Sequence, residues 1–242
     1  MHEDKPALDV EHIEECLAAM APEDVLRWAS DTFGPDVAAS SSFQTQSVPL
    51  LHMISRACPA MPVLFLDTGF HFPETIAFRD RLVAALGLNL QVLTCRIPRD
   101  AFMRCYGTLY RSDPDLCCYL NKVEPLARAL AGKAAWIAGI RRDQTAARSA
   151  TRIFGQGGDG IYKVTPLAAW TAAHVDAYIR EHGLPAHPLT SQGYPSIGCK
   201  PCTRAVAPSA DARAGRWAES DKTECGIHED FWRSRGGSGP AT

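Results

Sequence analysis

The cysteines are the residues whose type and spacing predict chemistry most directly. Cys117 and Cys118 are adjacent, while Cys199 and Cys202 form a Cys-x-x-Cys pair further along the chain. Four thiolates satisfy either a structural zinc ion or an iron–sulfur cluster. Neighbouring residues on a helix point about 100° apart, which suits the separate corners of a cuboidal cluster better than one small zinc ion. The spacing favours a cluster, with zinc, a disulfide or buried core thiols as the alternatives.

A second reactive segment follows the Cys-x-x-Cys pair. Arg213 and Arg216 are one helical turn apart, so a helix would point both guanidinium groups at the same anion. Cys225 is remote from both cysteine pairs, and Gly226 beside it permits a bend. The polar run 219–224 has no apolar face to hold it against a core. We therefore predict that Cys225 is a nucleophile on a mobile tail, the alternative being an inert free thiol on a loose tail.

The elements that must position these residues alternate between strand and helix. We predict strands at 36–42, 63–66, 90–94, 134–139 and 161–164, with 155–160 as a flexible turn. Helices are predicted at 9–20, 22–34 and 73–86, from Asp113 onwards, and after Thr171. This alternation predicts an α/β fold with a mostly parallel twisted sheet and helices on both faces.

Polar residues follow three of these strands, at the edge where open α/β sheets bind ligands. The serines and loop after the first strand, with Pro49 opening a helix, predict a phosphate cradle; an ordinary β–α turn is the alternative. Asp67, after the second strand, is either a helix cap or a ribose or adenine contact. The arginines after the fourth strand form an anion clamp or a solvated loop. The candidates are Ser41, Ser42, Phe43, Asp67, Thr68, Gly69, Arg141, Arg142 and Arg148.

Composition bounds the class of protein. The chain has 242 residues, of which 46% are hydrophobic, enough for a substantial core. A net charge of −2 argues weakly against nucleic-acid binding, and the longest apolar runs are too short to cross a bilayer. The polar N-terminus and the nine cysteines predict a reducing, cytoplasmic location. We divide the chain into an N-terminal helical segment (1–34), a nucleotide- and cluster-binding domain (35–217) and a C-terminal tail (218–242).

Taken together, the motifs resemble those of the adenylyl-sulfate and phosphoadenylyl-sulfate reductases, from about residue 40 to 228. The matching motifs are Ser40-Ser-Ser-Phe43, Leu66-Asp67-Thr68-Gly69, Cys117-Cys118-x3-Lys122-Val-Glu-Pro-Leu126, Cys199-Lys-Pro-Cys202-Thr, Arg213-Ala-Gly-Arg216-Trp217 and Glu224-Cys225-Gly-Ile-His228. The resemblance implies an adenine-nucleotide α-hydrolase-like fold, a modified form of the PP-loop fold. It also places the chain in the branch that carries a [4Fe–4S] cluster on the four cysteines.

The same resemblance implies an activity and its partners. Adenylyl sulfate (APS) would be reduced to sulfite and AMP through a thiosulfonate on Cys225, with thioredoxin or a glutaredoxin-type protein as reductant. Lys122 and His228 would join the arginines around the substrate, and the cluster would shape the site rather than carry electrons. One departure is Asn121, where the family pattern predicts a basic residue.

Three alternatives remain open at this point. Phosphoadenylyl sulfate (PAPS) is the alternative substrate. An ATP-dependent tRNA-thiolating PP-loop enzyme is the rival enzyme class, but the corresponding loop, residues 42–47, lacks that class's paired glycines and acid. A zinc-stabilised nucleic-acid-binding module is the non-enzymatic rival. We expect a homo-oligomer that binds neither nucleic acid nor membrane.

Overall fold

The structure is a computed structural model that describes residues 8–158, 160–207 and 211–228. Its described residues form one six-stranded sheet in the order β3-β2-β1-β4-β6-β5. Every neighbouring pair is parallel except β5 and β6. The strands are β1 Val37–Ser40, β2 Pro62–Asp67, β3 Asn89–Thr94, β4 Ala135–Ala138, β5 Phe154–Gln156 and β6 Tyr162–Val164. The predicted mostly parallel sheet is confirmed.

Helices connect the parallel strands. They are α1 Val10–Ala18, α2 Pro22–Phe33, α3 Val48–Ala57, α4 Pro73–Leu86, α5 Arg99–Tyr106, α6 Leu109–Ser112, α7 Pro114–Cys118, α8 Glu124–Leu130 and α9 Ala172–Glu181. A π-helical turn, Tyr119–Val123, joins α7 to α8. Local signals set several ends: the Asp9 carboxylate caps α1, Thr171 caps α9, and Gly87 ends α4 in the left-handed conformation with φ 62°.

Alternation along β1 divides the core between the two faces of the sheet. Ala39 belongs to the larger apolar cluster, which also contains Leu26 of α2 and Ile54 of α3. Ala38 points to the opposite face, where it joins the cluster that contains Leu126 of α8. Helices therefore cover both faces, as the sequence predicts. No helix among the described residues is long and apolar enough to cross a membrane.

Two sequence predictions need correction in this part of the molecule. The predicted turn at 155–160 is wrong at its start, because Phe154–Gln156 is strand β5 and pairs antiparallel with β6. Glu14 holds this strand from outside the sheet, since its carboxylate accepts the backbone N–H groups of Ile153 and Phe154. The predicted first strand, 36–42, is shorter and ends at Ser40. Residues 229–242 of the predicted tail lie outside the described residues.

Candidate active site and cysteine cluster

A cavity of about 280 Å³ opens at the carboxyl ends of the parallel strands. Ser40 of β1, Leu66 of β2 and Gly139 after β4 form its floor, and the segment 211–228 contributes to its lining. Neighbouring parallel strands whose connections leave in opposite directions create such a crevice, the usual ligand site of open α/β sheets. Its volume approaches that of pockets that hold small organic ligands.

The loop after β1 lines this cavity with hydroxyl and amide groups. Ser41 and Ser42 of the predicted cradle are among the lining residues. Phe43 is not, because its side chain is completely buried and packs edge-on against Phe65, with ring centroids 5.6 Å apart. Phe43 has φ 52°, and its N–H is donated to the Ser41 hydroxyl. Its placement supports an architectural role in turning the loop, rather than a contact with a ligand.

Three predicted ligands at the end of β2, Asp67, Thr68 and Gly69, lie beside the cavity rather than in it. The Asp67 carboxylate accepts the N–H of Gly69 at 2.9 Å, and the Thr68 hydroxyl lies 3.3 Å from the sulfur of Cys199. None of these three predicted nucleotide ligands lines the 280 Å³ cavity. His71, which the sequence reading missed, does line it. Burial lowers the pKa of His71, and its Nε2 is 2.8 Å from the Leu66 carbonyl oxygen.

The three arginines after β4 separate into two groups. Arg141 and Arg148 line the cavity. Arg141 is 2% exposed and donates to Asp143 at 2.9 Å and to Gln46 at 2.5 Å. Arg142 instead donates to the carbonyl of Thr151 at 2.7 Å, and it does not line the cavity.

Arg213 and Arg216 both line the cavity, but the predicted helix that would carry them is wrong. They lie in consecutive turns held by a bridge between Thr203 and Arg216. Gly215 explains the difference, because a Cβ at that position would lie 2.2 Å from the backbone oxygen of Arg204. Close backbone packing against the 203–206 segment therefore replaces helical hydrogen bonding.

Trp217 lies close to four cationic side chains. It was not among the predicted site residues. It is buried with φ 49°, and its ring centroid lies 4.4 Å from the Arg216 guanidinium carbon and 5.9 Å from that of Arg213. The ammonium groups of Lys122 and Lys222 lie at 6.0 and 5.8 Å. Cations at these distances are attracted to an indole face. An aromatic residue directly after Arg-x-x-Arg was the available sequence signal.

Several buried polar atoms around the cavity lack a partner among the described residues. They are His71 Nδ1, Arg148 Nε, Arg216 Nε, Trp217 Nε1 and His228 Nδ1. All five residues line the cavity. Buried polar groups are almost always hydrogen-bonded in native proteins, so a concentration of unpaired ones around a single cavity indicates a ligand site. Because most of these groups are donors, the ligand they suit is an anion.

Cys225 lies between the cavity and a second hollow. It is half-buried and lines both the 280 Å³ cavity and a neighbouring hollow of about 190 Å³. Polar contacts hold the run that precedes it: Lys222 pairs with Asp115, and the N–H of Ser220 is donated to the Trp217 carbonyl. These polar contacts hold the run in place, although it has no apolar face to pack against the core.

The end of this segment packs on the sheet. The imidazole of His228 stacks on Trp136, with ring centroids 5.2 Å apart and an interplanar angle of 4°. Its carbonyl accepts from the Lys163 ammonium at 3.3 Å. Burial, reinforced by the charges of Lys163, Arg148 and Arg213, lowers the pKa of His228 well below its ordinary value. His228 is therefore a neutral ring at the cavity wall.

The four predicted ligand cysteines surround one small hollow. Cys117 and Cys118 come from α7, while Cys199 and Cys202 come from the loop opposite. Burial, followed by the proximity of the other three thiols, raises the pKa of Cys117 to about 12. Within 8–158, 160–207 and 211–228, no group of three or more potential ligands is arranged for a single metal ion. Four thiols around a shared hollow fit a cluster with a separate corner for each sulfur.

Two further residues connect this hollow to the rest of the site. Asn121, the departure from the family pattern, lies in the π-helical turn and donates to the carbonyl of Cys117 at 2.9 Å, with the Cys117 sulfur at 3.8 Å. Lys122 lines both the hollow and the cavity. Burial opposes its charge, but electrostatic interaction with Cys199, Cys118 and Cys225 outweighs that effect and raises the pKa of Lys122.

Comparison with known proteins defines the class and then the family. A solved structure of FMN adenylyltransferase from Candida glabrata shares the fold, with a TM-score of 0.56 at 15% identity over 84% of this chain and 69% of that one. The fold class is therefore α/β, shared with that enzyme. The chain belongs to the phosphoadenosine phosphosulfate reductase domain family, whose model matches residues 36–205. The family predicted from the sequence motifs is confirmed.

Two relatives are similar over most of their length. Adenosine 5'-phosphosulfate reductase from Streptomyces coelicolor is 47% identical over 210 residues, covering 85% of this chain and 87% of the relative. The crystal structure of phosphoadenylyl-sulfate reductase from Candida auris, a phosphate complex, has a TM-score of 0.73 at 31% identity. It covers 84% of this chain and 100% of that one.

Proposed function

We propose that this protein reduces adenylyl sulfate to sulfite and AMP in assimilatory sulfate reduction. The observation that carries the proposal is the convergence of a thiol, several cations and a serine-rich loop on one cavity. Cys225 supplies the thiol, Lys122 and Arg216 supply positive charge, and Ser41 and Ser42 belong to the loop. The similarity to an adenosine 5'-phosphosulfate reductase supports the same substrate.

The chemistry proceeds in two displacements. First, the thiolate of Cys225 attacks the sulfate sulfur, the bond from that sulfur to the bridging oxygen breaks, and AMP leaves with the electron pair. Next, a thiolate of a reduced dithiol protein attacks the Cys225 sulfur and releases sulfite. The second thiol of the dithiol then resolves the mixed disulfide, so the dithiol becomes a disulfide and Cys225 regains its thiolate. Thioredoxin or a glutaredoxin-type protein fits this two-electron requirement.

Positive charge at the cavity serves the first displacement. An anionic nucleophile approaching a mixed phosphate–sulfate anhydride is repelled unless cations offset the charge of the substrate. Lys122, Arg141, Arg148, Arg213 and Arg216 line the cavity and can provide this effect. Arg142 is directed elsewhere, so its placement supports no such role. The neutral ring of His228 can contribute a hydrogen bond at the cavity wall.

Cys117, Cys118, Cys199 and Cys202 would hold a [4Fe–4S] cluster. When bound, the cluster would supply iron–thiolate bonds that tie α7 to the opposite loop and fix the field around Lys122. The Thr68 hydroxyl and the Asn121 amide, both close to ligand sulfurs, suit hydrogen bonding to a cluster. In this scheme, electrons for sulfite formation come from the dithiol protein.

We further infer the organisation of the protein from the sequence. The N-terminal segment 1–34, the domain 35–217 and the tail 218–242 would be its functional divisions, with the tail closing for attack and opening for the reductant. We expect a cytoplasmic homo-oligomer that binds no nucleic acid and no membrane. The cysteine usage and the near-neutral charge support these expectations.

The deciding experiment measures sulfite release by anaerobically purified protein with reduced thioredoxin, from adenylyl sulfate and, separately, from the 3'-phosphorylated nucleotide. We expect preferential use of adenylyl sulfate. Equal or faster release from the phosphorylated nucleotide would assign PAPS as the substrate, a possibility that the likeness to the Candida auris enzyme keeps in view. Release from neither, together with ATP consumption, would identify the tRNA-thiolating class instead.

A further inference from the structure

The residue before the nucleophile forms the most heavily charged contact of the site. Glu224 is 8% exposed, and its carboxylate accepts from Arg148 at 2.6 Å and from Arg213 at 3.2 Å. The hydroxyl of Thr145 donates to its other oxygen at 3.2 Å. We call Arg148 and Arg213 the docking pair. A buried carboxylate beside the attacking thiol of Cys225 would repel an anionic substrate, unless its charge is neutralised by partners such as these.

Two other cations that line the cavity, Arg216 and Lys122, have no carboxylate partner among the described residues. Among the described residues, Arg216 donates to the Ser196 hydroxyl at 3.5 Å, and Lys122 has no hydrogen bond or carboxylate partner. Both lie over the ring of Trp217. We call Arg216 and Lys122 the open pair. Of the five cations that line the cavity, Arg141 pairs with Asp143 and the docking pair contacts Glu224, which leaves the open pair to accept an anion.

The segment is also anchored on the far side of Cys225. Gly226 has φ 84°, which reverses the backbone directly after the thiol. Ile227 then packs against the apolar cluster that contains Leu64 and Trp136, on the face of the sheet covered by α8. The nucleophile therefore lies between a charged anchor and an apolar anchor, each within two residues of its sulfur-bearing position.

We propose that Glu224 is the positioning residue that holds Cys225 in the cavity, and that the docking pair binds Glu224 while the open pair binds the phosphate–sulfate group. The inference rests on the proposed function and deepens it, because it assigns different tasks to cations that the sequence treats alike. Glu224 acts through Cys225 and the docking pair, and it does not contact the reacting atoms.

The test replaces one carboxylate oxygen by nitrogen. Glu224→Gln keeps the shape of the side chain but removes the charge that the docking pair binds. The matched control is Glu219→Gln in the same segment, because Glu219 pairs with Arg204 at the surface with 63% of its side chain exposed. Three quantities are measured on the holoenzyme: iodoacetamide labelling of Cys225 without substrate, AMP affinity, and single-turnover AMP release from adenylyl sulfate.

We expect Glu224→Gln to label at Cys225 about 30-fold faster than the parent, since losing a buried charge contact releases the segment. AMP affinity should be retained or increased, because the docking pair becomes available to phosphate, while single-turnover release slows by about tenfold or more. Glu219→Gln should match the parent in all three. Labelling at the parental rate would overturn the proposal, as would a loss of AMP affinity that parallels the loss of rate.

Labelling and AMP binding involve no sulfur transfer, so they test the inference separately from the proposed function. If the parent releases no AMP from adenylyl sulfate, yet the charge change accelerates labelling of Cys225, the positioning role stands and the proposed reaction fails. If the parent reacts and the labelling rates are equal, the reaction stands and the positioning role fails.

Discussion

Cys225 and the four cysteines of the hollow show how surroundings determine what a thiol does. Cys117 and Cys199 are buried with other thiols close by, and burial with that proximity raises the pKa of Cys117 to about 12. Such sulfurs suit metal binding, which removes the proton. Cys225 instead lies half-buried between two solvent-connected spaces, next to cations. Of these five cysteines, Cys225 is the one that lines both the 280 Å³ cavity and the neighbouring 190 Å³ hollow, as we expect of a residue that meets both a substrate and a second protein.

Replacing Cys225, the proposed nucleophile, should have the largest effect on turnover. Cys225→Ser is expected to lower turnover by about 10⁴-fold or more, because a serine hydroxyl at neutral pH is a far weaker nucleophile than a thiolate. AMP affinity and bound iron should stay at parental levels. Cys105→Ser, at an exposed position, is the matched control and should retain full activity. Parental turnover by Cys225→Ser would place the nucleophile elsewhere.

Replacing a cysteine of the hollow should chiefly change the iron content and colour of the protein. Cys199→Ser is expected to lose the brown colour and most of the iron of the anaerobically purified protein, and to lower activity by about tenfold or more. Iron content and visible absorbance measure the first effect, with Cys16→Ser as the exposed control. A colourless parent that contains zinc would contradict the cluster and support a single-metal site.

Much of the fold could be predicted from the sequence because the signals for its strands and helices are local. Runs rich in apolar residues predicted the parallel strands, and Gly87 and Thr171 predicted helix ends. Strand β5 could not be predicted in the same way, because it is short, contains Gly155 and is held by the distant Glu14. Its stability depends on a tertiary contact that no sequence window contains.

The candidate site also contains some features that could be predicted from the sequence and others that could not. The cysteine sets and the arginines were predictable as residue types, and the structure brings most of them together. The direction of each side chain was not predictable: Arg142 turns to Thr151, and Phe43 turns into the core. Nor could spacing alone exclude a helix at Arg213, since the conformation there depends on close packing of Gly215 against another segment.

Arg216 and Arg142 are placed differently, so comparing their variants tests placement, with a smaller expected effect on kcat/KM. Arg216→Ala is expected to lower kcat/KM by a factor that corresponds to ~2–4 kcal/mol of lost transition-state stabilisation, because the variant lacks one cation of the cavity. Arg142→Ala removes the same charge from outside the cavity and should change kcat/KM by no more than a few-fold. Steady-state sulfite release measures both. Equal losses in the two variants would show that general charge, and not placement, matters.

The smallest expected effect is a loss of folding stability on acidification, to which His187 contributes. Burial lowers the pKa of this side chain to about 4 from the usual 6.5, and its Nδ1 accepts the N–H of Leu189. The unfolded chain therefore binds a proton that the folded chain does not, and stability is lost as the pH falls through 6.5 towards 4.

Urea unfolding at about pH 7 and about pH 5 measures this effect. The parent should lose on the order of 1 kcal/mol more stability than His187→Gln over that interval. His12→Gln, on the exposed side of α1, is the control and should behave like the parent. An equal pH dependence in His187→Gln would assign the loss to other groups.

The most direct test of the account is the identity of the sulfur that receives the sulfonyl group. Adenylyl sulfate is added to the anaerobic holoenzyme without reductant, and the digested protein is analysed by mass spectrometry while AMP is quantified. The account predicts one equivalent of AMP, together with the mass of one SO₃ group on the peptide that contains Cys225, which reduced thioredoxin then removes as sulfite. An adduct on any of the four cysteines of the hollow, or AMP release without an adduct, would contradict it.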